Sequence, residues 1–211
     1  MKTSVFILAV VGLCAIVAVA QTPVGKDASK KTLIMYFMGP SSSEADYQLT
    51  LAVSHCDDAQ AEDALKNGAD PNFLGLANET QLMLVCQKCQ NDKLAKVLLK
   101  YGAKPDLVDE GGYTALMYAS QENNPEMAEV LLGHGANPNL TAHSDNAKLI
   151  GTEGFTALML ACQHSAFKVM QPLLAHGADA KTVGANGQTA LDIAKQQKQK
   201  PMIELLEKKL K

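Results

Sequence analysis

Apolar and polar residues alternate in a pattern that returns at a spacing close to 33 residues along most of the chain. Residues 114–120 read Thr-Ala-Leu-Met-Tyr-Ala-Ser, and residues 156–162 read Thr-Ala-Leu-Met-Leu-Ala-Cys. Apolar residues in both stretches recur every three or four positions, as on one face of an α-helix, and a second such stretch follows at 127–132. Gly135 can take the left-handed conformation that stops this second helix. The pattern predicts a unit of two short helices joined by a turn.

Five copies of this unit align along the chain, and they start at Tyr47, Thr80, Thr114, Thr156 and Thr189. The starts are 33, 34, 42 and 33 residues apart, and the first four copies each close in a Gly-Ala pair. One pair of short helices cannot bury enough apolar surface alone, so we expect neighbouring units to stack and share one core. The last copy is rich in Lys and Gln in its second half, as expected for a unit with one face in water.

This repeat resembles the ankyrin repeat family, whose units have about 33 residues. The resemblance extends from Tyr47 to about Leu210, although the family's Thr-Pro-Leu-His reads Thr-Ala-Leu-Met here and the first unit reads Tyr-Gln-Leu-Thr from Tyr47. Ala is a strong helix former, so this departure does not threaten the helix. We therefore predict an all-α ankyrin-repeat solenoid over residues 47–211, with about five helix–turn–helix units and projecting loops between them.

The unit that starts at Thr114 is longer than the others, and its excess lies between Asn139 and Gly154. That stretch falls in the loop that joins two neighbouring units. Long surface loops cost little free energy, so a tolerated insertion is one interpretation. A specific contact finger for a partner is the other.

The N-terminus has the pattern of a secretory signal. Lys2 precedes an almost unbroken apolar run at 4–19, and residues 18–20 read Ala-Val-Ala, the small-x-small pattern of a cleavage site. We predict that residues 1–20 are a cleaved signal peptide, with a retained membrane anchor as the alternative. The mature protein is then expected to be free of the membrane and outside the cytoplasm, in the periplasm rather than the extracellular medium.

Residues 21–46 are predicted to form an N-terminal extension. It contains six consecutive apolar residues at 33–38, followed by a Gly-Pro-Ser-Ser-Ser breaker. We expect this apolar run to cap the first unit; the alternative is an arm that inserts into a partner.

Charge and composition argue against a nucleic-acid partner. The net charge is -3, and all 19 basic residues are Lys, so the bidentate Arg contacts that read phosphate and guanine cannot form. The acids are concentrated in residues 44–153, which hold 17 acids against 7 Lys. This imbalance is either an ordinary solvated surface or a field that steers a basic partner.

The cysteines allow more than one interpretation. Cys86 and Cys89 have the spacing of a redox motif, but a thioredoxin-like site needs a strand-to-helix setting. Cys56 and Cys89 occupy the same position, at the end of the first helix, in adjacent units. In an oxidising compartment a disulfide from Cys56 to Cys86 or to Cys89 is plausible, with free thiols as the alternative. Cys162 is interpreted as a small core residue.

The sequence offers no arrangement typical of catalysis or cofactor binding. The five His are scattered, and none has metal-ligand spacing with a third ligand beside it. We therefore predict no catalytic residues, no metal and no cofactor, and the chain is not expected to be an enzyme.

The ankyrin resemblance implies which residues contact a partner, because the family's variable contact positions lie just before the repeated Thr and at the end of the first helix. Tyr113 and Phe155 stand out among them as aromatic anchors flanked by polar residues. The alternative is that these two rings cover the neighbouring loop. The full predicted set is Glu79, Gln87, Lys88, Glu110, Tyr113, Gln121, Glu122, Glu153, Phe155, Gln163, His164, Asn186 and Gln188.

The resulting hypothesis is a non-catalytic binding module, monomeric when free, that acts outside the cytoplasm. Its expected partner is another extracytoplasmic protein, an enzyme such as a cell-wall peptidase, which it inhibits, protects against or stabilises through its concave face. One alternative is a secreted effector that binds host proteins. Another is a thiol oxidoreductase that uses Cys86 and Cys89.

Overall fold

The computed structural model describes residues 43–89 and 91–211. The predicted signal peptide and almost all of the predicted extension, including the apolar run at 33–38, lie outside the described residues. The described residues form α-helices and no strands, in the order of paired helices that the repeats predict. The first four pairs are α1 (Glu44–Ser54) with α2 (Asp58–Lys66), α3 (Gln81–Leu84) with α4 (Asp92–Lys100), α5 (Ala115–Gln121) with α6 (Pro125–Gly133), and α8 (Ala157–Gln163) with α9 (Phe167–Ala175). The last pair is α10 (Ala190–Gln196) with α11 (Lys200–Leu210), and α7 (Asp145–Ile150) is the extra helix of the insertion.

The pairs stack in two layers. First helices contact first helices, as α5 with α8 and α8 with α10, and second helices contact second helices, as α4 with α6 and α6 with α9. Leu, Met and Ala fill the space between them, and Leu98, Leu131 and Leu158 have no exposed surface. The predicted all-α solenoid of five units is confirmed.

The repeated Thr starts the first helix of each unit from the second onward. Thr80, Thr114, Thr156 and Thr189 are N-cap residues, and each hydroxyl accepts a hydrogen bond from the backbone N–H three residues later. Such a cap satisfies a donor that the helix itself leaves unpaired. This chemistry fixes the register of the repeat.

The first unit begins differently from its alignment. Its N-cap is Ser43, whose backbone N–H donates to the Asp46 carboxylate at 2.7 Å, while the Asp46 N–H donates to the Ser43 hydroxyl at 3.1 Å. This capping box starts α1 before Tyr47, which lies buried inside the helix. The alignment missed this start because Tyr47 occupies the Thr position without being able to cap.

The second unit owes its extra residue to a π-helical turn. Its first helix continues from α3 as a π-helix at Val85–Cys89 before α4 begins. In the third unit the second N-cap, Asn124, lies ten positions after the first, Thr114. In the second unit Asn91 lies eleven positions after Thr80. A π turn widens the helix locally and accommodates the added residue.

Inter-unit loops connect each second helix to the next first helix. They are loop 1–2 (67–80), loop 2–3 (101–114), loop 3–4 (134–156) and loop 4–5 (176–189). Gly135 in loop 3–4 has φ +85°, which confirms the predicted left-handed stop after α6. Loop 3–4 is joined to loop 4–5 by Asn139, whose Nδ2 donates to the Gly177 carbonyl at 3.0 Å and whose Oδ1 accepts from the Asp179 N–H at 2.8 Å. Asn72 joins loop 1–2 to loop 2–3 in the same way.

Within the described ranges, no helix has the length and apolar character needed to cross a membrane.

Candidate functional site

The two aromatic residues expected to anchor a partner are buried. Tyr113 is 5% exposed and Phe155 is 2% exposed. The Tyr113 hydroxyl donates to Oγ1 of Thr152 at 2.8 Å, in the next loop. A Cβ atom on Gly184, also in the next loop, would lie 3.0 Å from the Phe155 ring, so the glycine leaves room for it.

The prediction that Tyr113 and Phe155 are exposed contact residues is therefore wrong. Each ring covers the neighbouring loop instead, because adjacent loops touch and the ring fills the space between them. Their role is to hold successive loops together.

The other predicted contact residues do reach solvent. They lie where the resemblance implies, in the loops before each Thr and at the ends of the first helices. Lys88, Glu110, Glu122, Gln163, His164 and Asn186 are exposed, and Glu79, Gln87, Gln121, Glu153 and Gln188 are partly exposed. Contact between these residues and a partner stays a prediction.

A polar cluster lies beneath this surface between loop 2–3 and α5. The carboxylate of Asp109 is buried and accepts hydrogen bonds from the Tyr113 N–H at 2.9 Å and from the Tyr118 hydroxyl. Burial, reinforced by the nearby negative charge of Asp109, raises the pKa of Tyr118 well above its usual value. The cluster keeps Tyr118 a neutral donor and fixes the shape of loop 2–3.

Glu79 stands beside this cluster. Its carboxylate accepts a hydrogen bond from Nε2 of Gln87 at 3.2 Å, and burial raises the pKa of its carboxyl. Asp109 adds to the rise, whereas Gln87 and Lys88 oppose it. Asp109 and Tyr118 were not predicted as site residues, because neither occupies one of the family's variable contact positions.

The insertion in loop 3–4 is fastened across its own base. His143 lies between two partners, with Nδ1 at 2.9 Å from Oε1 of Glu153 and Nε2 at 2.7 Å from Oγ1 of Thr141. The Ser144 N–H donates to the other Glu153 oxygen at 3.1 Å. The hydrogen bond from His143 is the main cause that lowers the pKa of Glu153. Glu153, predicted as a contact residue, thus also holds the insertion closed.

Large aliphatic side chains are exposed on four loops. Leu74, Val108 and Val183 are 44%, 50% and 58% exposed, and each lies six residues before the Thr that caps the next unit. On the insertion, Leu149 is 80% exposed and Ile150 is 55% exposed. The sequence analysis did not single out any of these five residues.

The four cysteines of the described residues form one disulfide and two free thiols. Cys56 and Cys89 form a disulfide with their Cα atoms 5.4 Å apart, which confirms one of the two predicted pairings and makes the Cys56–Cys86 pairing wrong. Cys86 and Cys162 are buried and free. Burial raises the pKa of the Cys86 thiol far above its usual value and that of Cys162 to about 12.

These positions do not fit a redox pair of Cys86 and Cys89. Cys89 is bonded to Cys56 across the unit boundary, and the thiolate of Cys86, the form that reacts, is suppressed by burial. The thiol oxidoreductase alternative is therefore not supported. Among the described residues, no group of three His, Cys, Asp or Glu side chains is placed to hold a metal ion.

Two protein-family models together match most of the repeated region. A family model described as ankyrin repeats in three copies matches residues 49–142, and one described as ankyrin repeats in many copies matches residues 143–194. No curated protein matches the chain. The chain therefore belongs to the ankyrin repeat family, whose stacked units are protein-binding modules.

Proposed function

We propose that this ankyrin repeat protein is exported and binds another extracytoplasmic protein, an enzyme that it inhibits, protects against or stabilises. The observation that carries export is the Cys56–Cys89 disulfide, which cross-links two neighbouring units. Disulfides persist in oxidising compartments such as the periplasm and are rare in the cytosol. The signal-like sequence at 1–20 supports the same location.

The binding surface in this proposal is the row of polar side chains along the loops and the ends of the first helices. Glu110 in loop 2–3, Glu122 in the third unit, and Gln163 and His164 in the fourth are exposed along this row. A stiff stack of units presents such a row as one continuous surface, which suits contact with the face of a folded protein. We propose an enzyme as the partner on the basis of compartment and fold together, because a rigid stack outside the cytoplasm can lie across an enzyme's active cleft.

The test is an affinity capture with the mature protein, residues 21–211, as immobilised bait against an envelope extract, with mass spectrometry of the eluate. Glu110→Lys with Glu122→Lys reverses charge on the proposed surface. Glu126→Lys with Glu204→Lys is the matched control, because both residues are exposed on second helices. We expect one enzyme to be recovered by the native protein and the control and lost with the surface variant.

The recovered enzyme is then assayed with and without the purified ankyrin protein. A change in its activity or in its thermal inactivation supports the regulatory role. Recovery of the same proteins by all three baits would count against the proposed surface, and an eluate without any enzyme would count against the proposed partner.

A further inference from the structure

The insertion in loop 3–4 has a defined structure that burial and internal hydrogen bonds hold in place. Ala147 of α7 is fully buried, and its carbonyl accepts a hydrogen bond from the Thr152 N–H at 2.8 Å. The ring of His143 is held by Thr141 and Glu153, as described above. These contacts fix the position of α7, and a surface loop that is merely tolerated would not require them.

The insertion also contacts the preceding inter-unit loop, loop 2–3. A Cβ atom on Gly112 would lie only 2.6 Å from the backbone nitrogen of His143, so only glycine allows loop 2–3 to come this close. Nδ2 of Asn146 lies 3.5 Å from the Glu110 carbonyl oxygen, a further contact with the same loop. Helix α7 is thus fixed beside Glu110.

This fixed helix nevertheless places two aliphatic side chains in water. Leu149 and Ile150 follow Asn146 by three and four positions, so they lie on the side of the helix from which Asn146 contacts Glu110. Leu149 is 80% exposed and Ile150 is 55% exposed. A held helix that exposes adjacent large aliphatic residues is typical of an interaction site, since apolar surface gains free energy only when a partner covers it.

The charge around these side chains selects the partner. Residues 109–113 and 141–154, which contact each other at Gly112 and His143 and at Glu110 and Asn146, carry four carboxylates against one Lys. Lys148 is paired with Asp145 at 3.3 Å, whereas Glu110 is exposed beside the helix. A negative surface attracts Lys and Arg side chains and repels nucleic acid and anionic lipid.

We infer that α7 and loop 2–3 together form a docking site for a protein segment that places an aliphatic side chain on Leu149 and Ile150 and a Lys or Arg side chain against the carboxylate of Glu110. This inference rests on the proposed protein-binding function and names the chemistry of the partner. It assigns the insertion a role of its own, because the repeated units supply mainly polar contact residues.

The test uses fluorescently labelled synthetic peptides of alternating Leu and Lys, and of alternating Leu and Glu, in a fluorescence anisotropy titration with the mature protein. Leu149→Ser with Ile150→Ser removes the apolar contact. Phe167→Ser is the matched control, since Phe167 is 39% exposed on α9. Circular dichroism checks that both variants keep the native helix content.

We expect the Leu–Lys peptide to bind the native protein and the Phe167 variant, and to bind the double variant about tenfold more weakly or less. Binding is expected to weaken as salt rises, and the Leu–Glu peptide is expected not to bind. Equal binding to the double variant, equal binding of the two peptides, or no binding of the Leu–Lys peptide would each overturn the docking site. Sedimentation with neutral phosphatidylcholine vesicles that depends on Leu149 and Ile150 would also overturn it, by showing that lipid covers them.

The same double variant separates this inference from the proposed function. If it captures the enzyme from the envelope extract as well as the native protein does, the docking site is wrong and the binding function stands. If neither captures an enzyme while the Leu–Lys peptide still binds as expected, the proposed enzyme partner fails and the docking site stands.

Discussion

The Tyr113 hydroxyl donates a 2.8 Å hydrogen bond to Oγ1 of Thr152, a residue 39 positions later that belongs to the next loop. Both residues are buried, so the bond joins loop 2–3 to the insertion in a place that water does not reach. Tyr113, which the repeat pattern predicts to be an aromatic contact for a partner, is therefore part of the internal structure.

Removing this hydroxyl is expected to lower the stability of the fold while the aromatic ring stays in place. Tyr113→Phe keeps the ring and leaves the Thr152 hydroxyl without its donor, so we expect a loss of about 1 kcal/mol in the free energy of unfolding. Urea denaturation followed by circular dichroism measures it. Thr152→Val should have a similar effect, and the double variant should lose less than the sum of the two because they share one bond. Strict additivity would show that the bond contributes nothing.

The Cys56–Cys89 disulfide is expected to stabilise the N-terminal half of the stack. It closes a loop with a sequence separation of 33, for which loss of the bond costs about 3 kcal/mol. A reducing agent should lower the urea midpoint of the native protein towards that of a Cys56→Ser, Cys89→Ser variant and leave the variant itself unchanged. A reductant effect of equal size on both proteins would show that the bond is not the source of the change.

The repeat register could be predicted from the sequence because its causes are local. A Thr that caps a helix, small Ala residues that let helices approach, and a Gly such as Gly135 that stops the second helix each occur at fixed positions in the unit. The start of the first helix was not predicted, although its cause is local as well. The Ser43 and Asp46 capping box resembles the one that Thr189 and Asp192 form in the last unit, but it lies four residues before the position at which Tyr47 aligns with the repeated Thr.

The exposure of the candidate surface could not be predicted, because it depends on contacts between loops far apart in the chain. The sequence around Tyr113 and Phe155 contains no sign that Thr152 and Gly184 will cover them. Leu149 and Ile150 show the converse. They look like ordinary apolar residues of a short helix, and only the fold, which buries Ala147 and leaves these two side chains exposed, shows that they face outward.

The side chain of Asn139 is expected to stabilise the junction of the third and fourth inter-unit loops. It makes two hydrogen bonds with the backbone of the next loop, to Gly177 and from Asp179, and both are exposed to water. Asn139→Ala should therefore cost only about 1 kcal/mol in the free energy of unfolding. Asn186→Ala is the control, because Asn186 bonds only to Gln188 within its own turn and should cost less. An equal loss in both variants would contradict a specific inter-loop role.

Glu79 is expected to destabilise the folded protein at neutral pH. Burial raises the pKa of its carboxyl above its usual value, so the charged form is less favourable in the folded state than in the unfolded state. Its unfavourable contribution is present above the folded pKa and disappears below the unfolded one. Glu79→Gln keeps an acceptor for Gln87 and should raise the urea midpoint at pH 7, with little difference at pH 3.5. A lower midpoint for the variant at pH 7 would contradict this sign.

Glu153 is expected to have the opposite pH dependence. The hydrogen bond from His143 holds the pKa of its carboxyl below its usual value. A group with a lowered folded pKa contributes stability that is full above its unfolded pKa and is lost as pH falls through the folded one. Glu153→Gln should therefore lower the urea midpoint at pH 7, and the difference from the native protein should shrink as the pH falls below about 4.

The same variant tests whether Glu153 holds the insertion in place. Amide hydrogen exchange at residues 143–152 should speed up in Glu153→Gln at pH 7, because Ser144 loses the carboxylate that accepts its N–H. Exchange in the α10–α11 unit should be unchanged. Glu122→Gln is the control, since Glu122 is exposed at the end of α5, outside the insertion. If the two variants exchange alike in the insertion, its closure does not depend on Glu153, and the fixed position of Leu149 and Ile150 must come from the buried Ala147 and the contact at Gly112 alone.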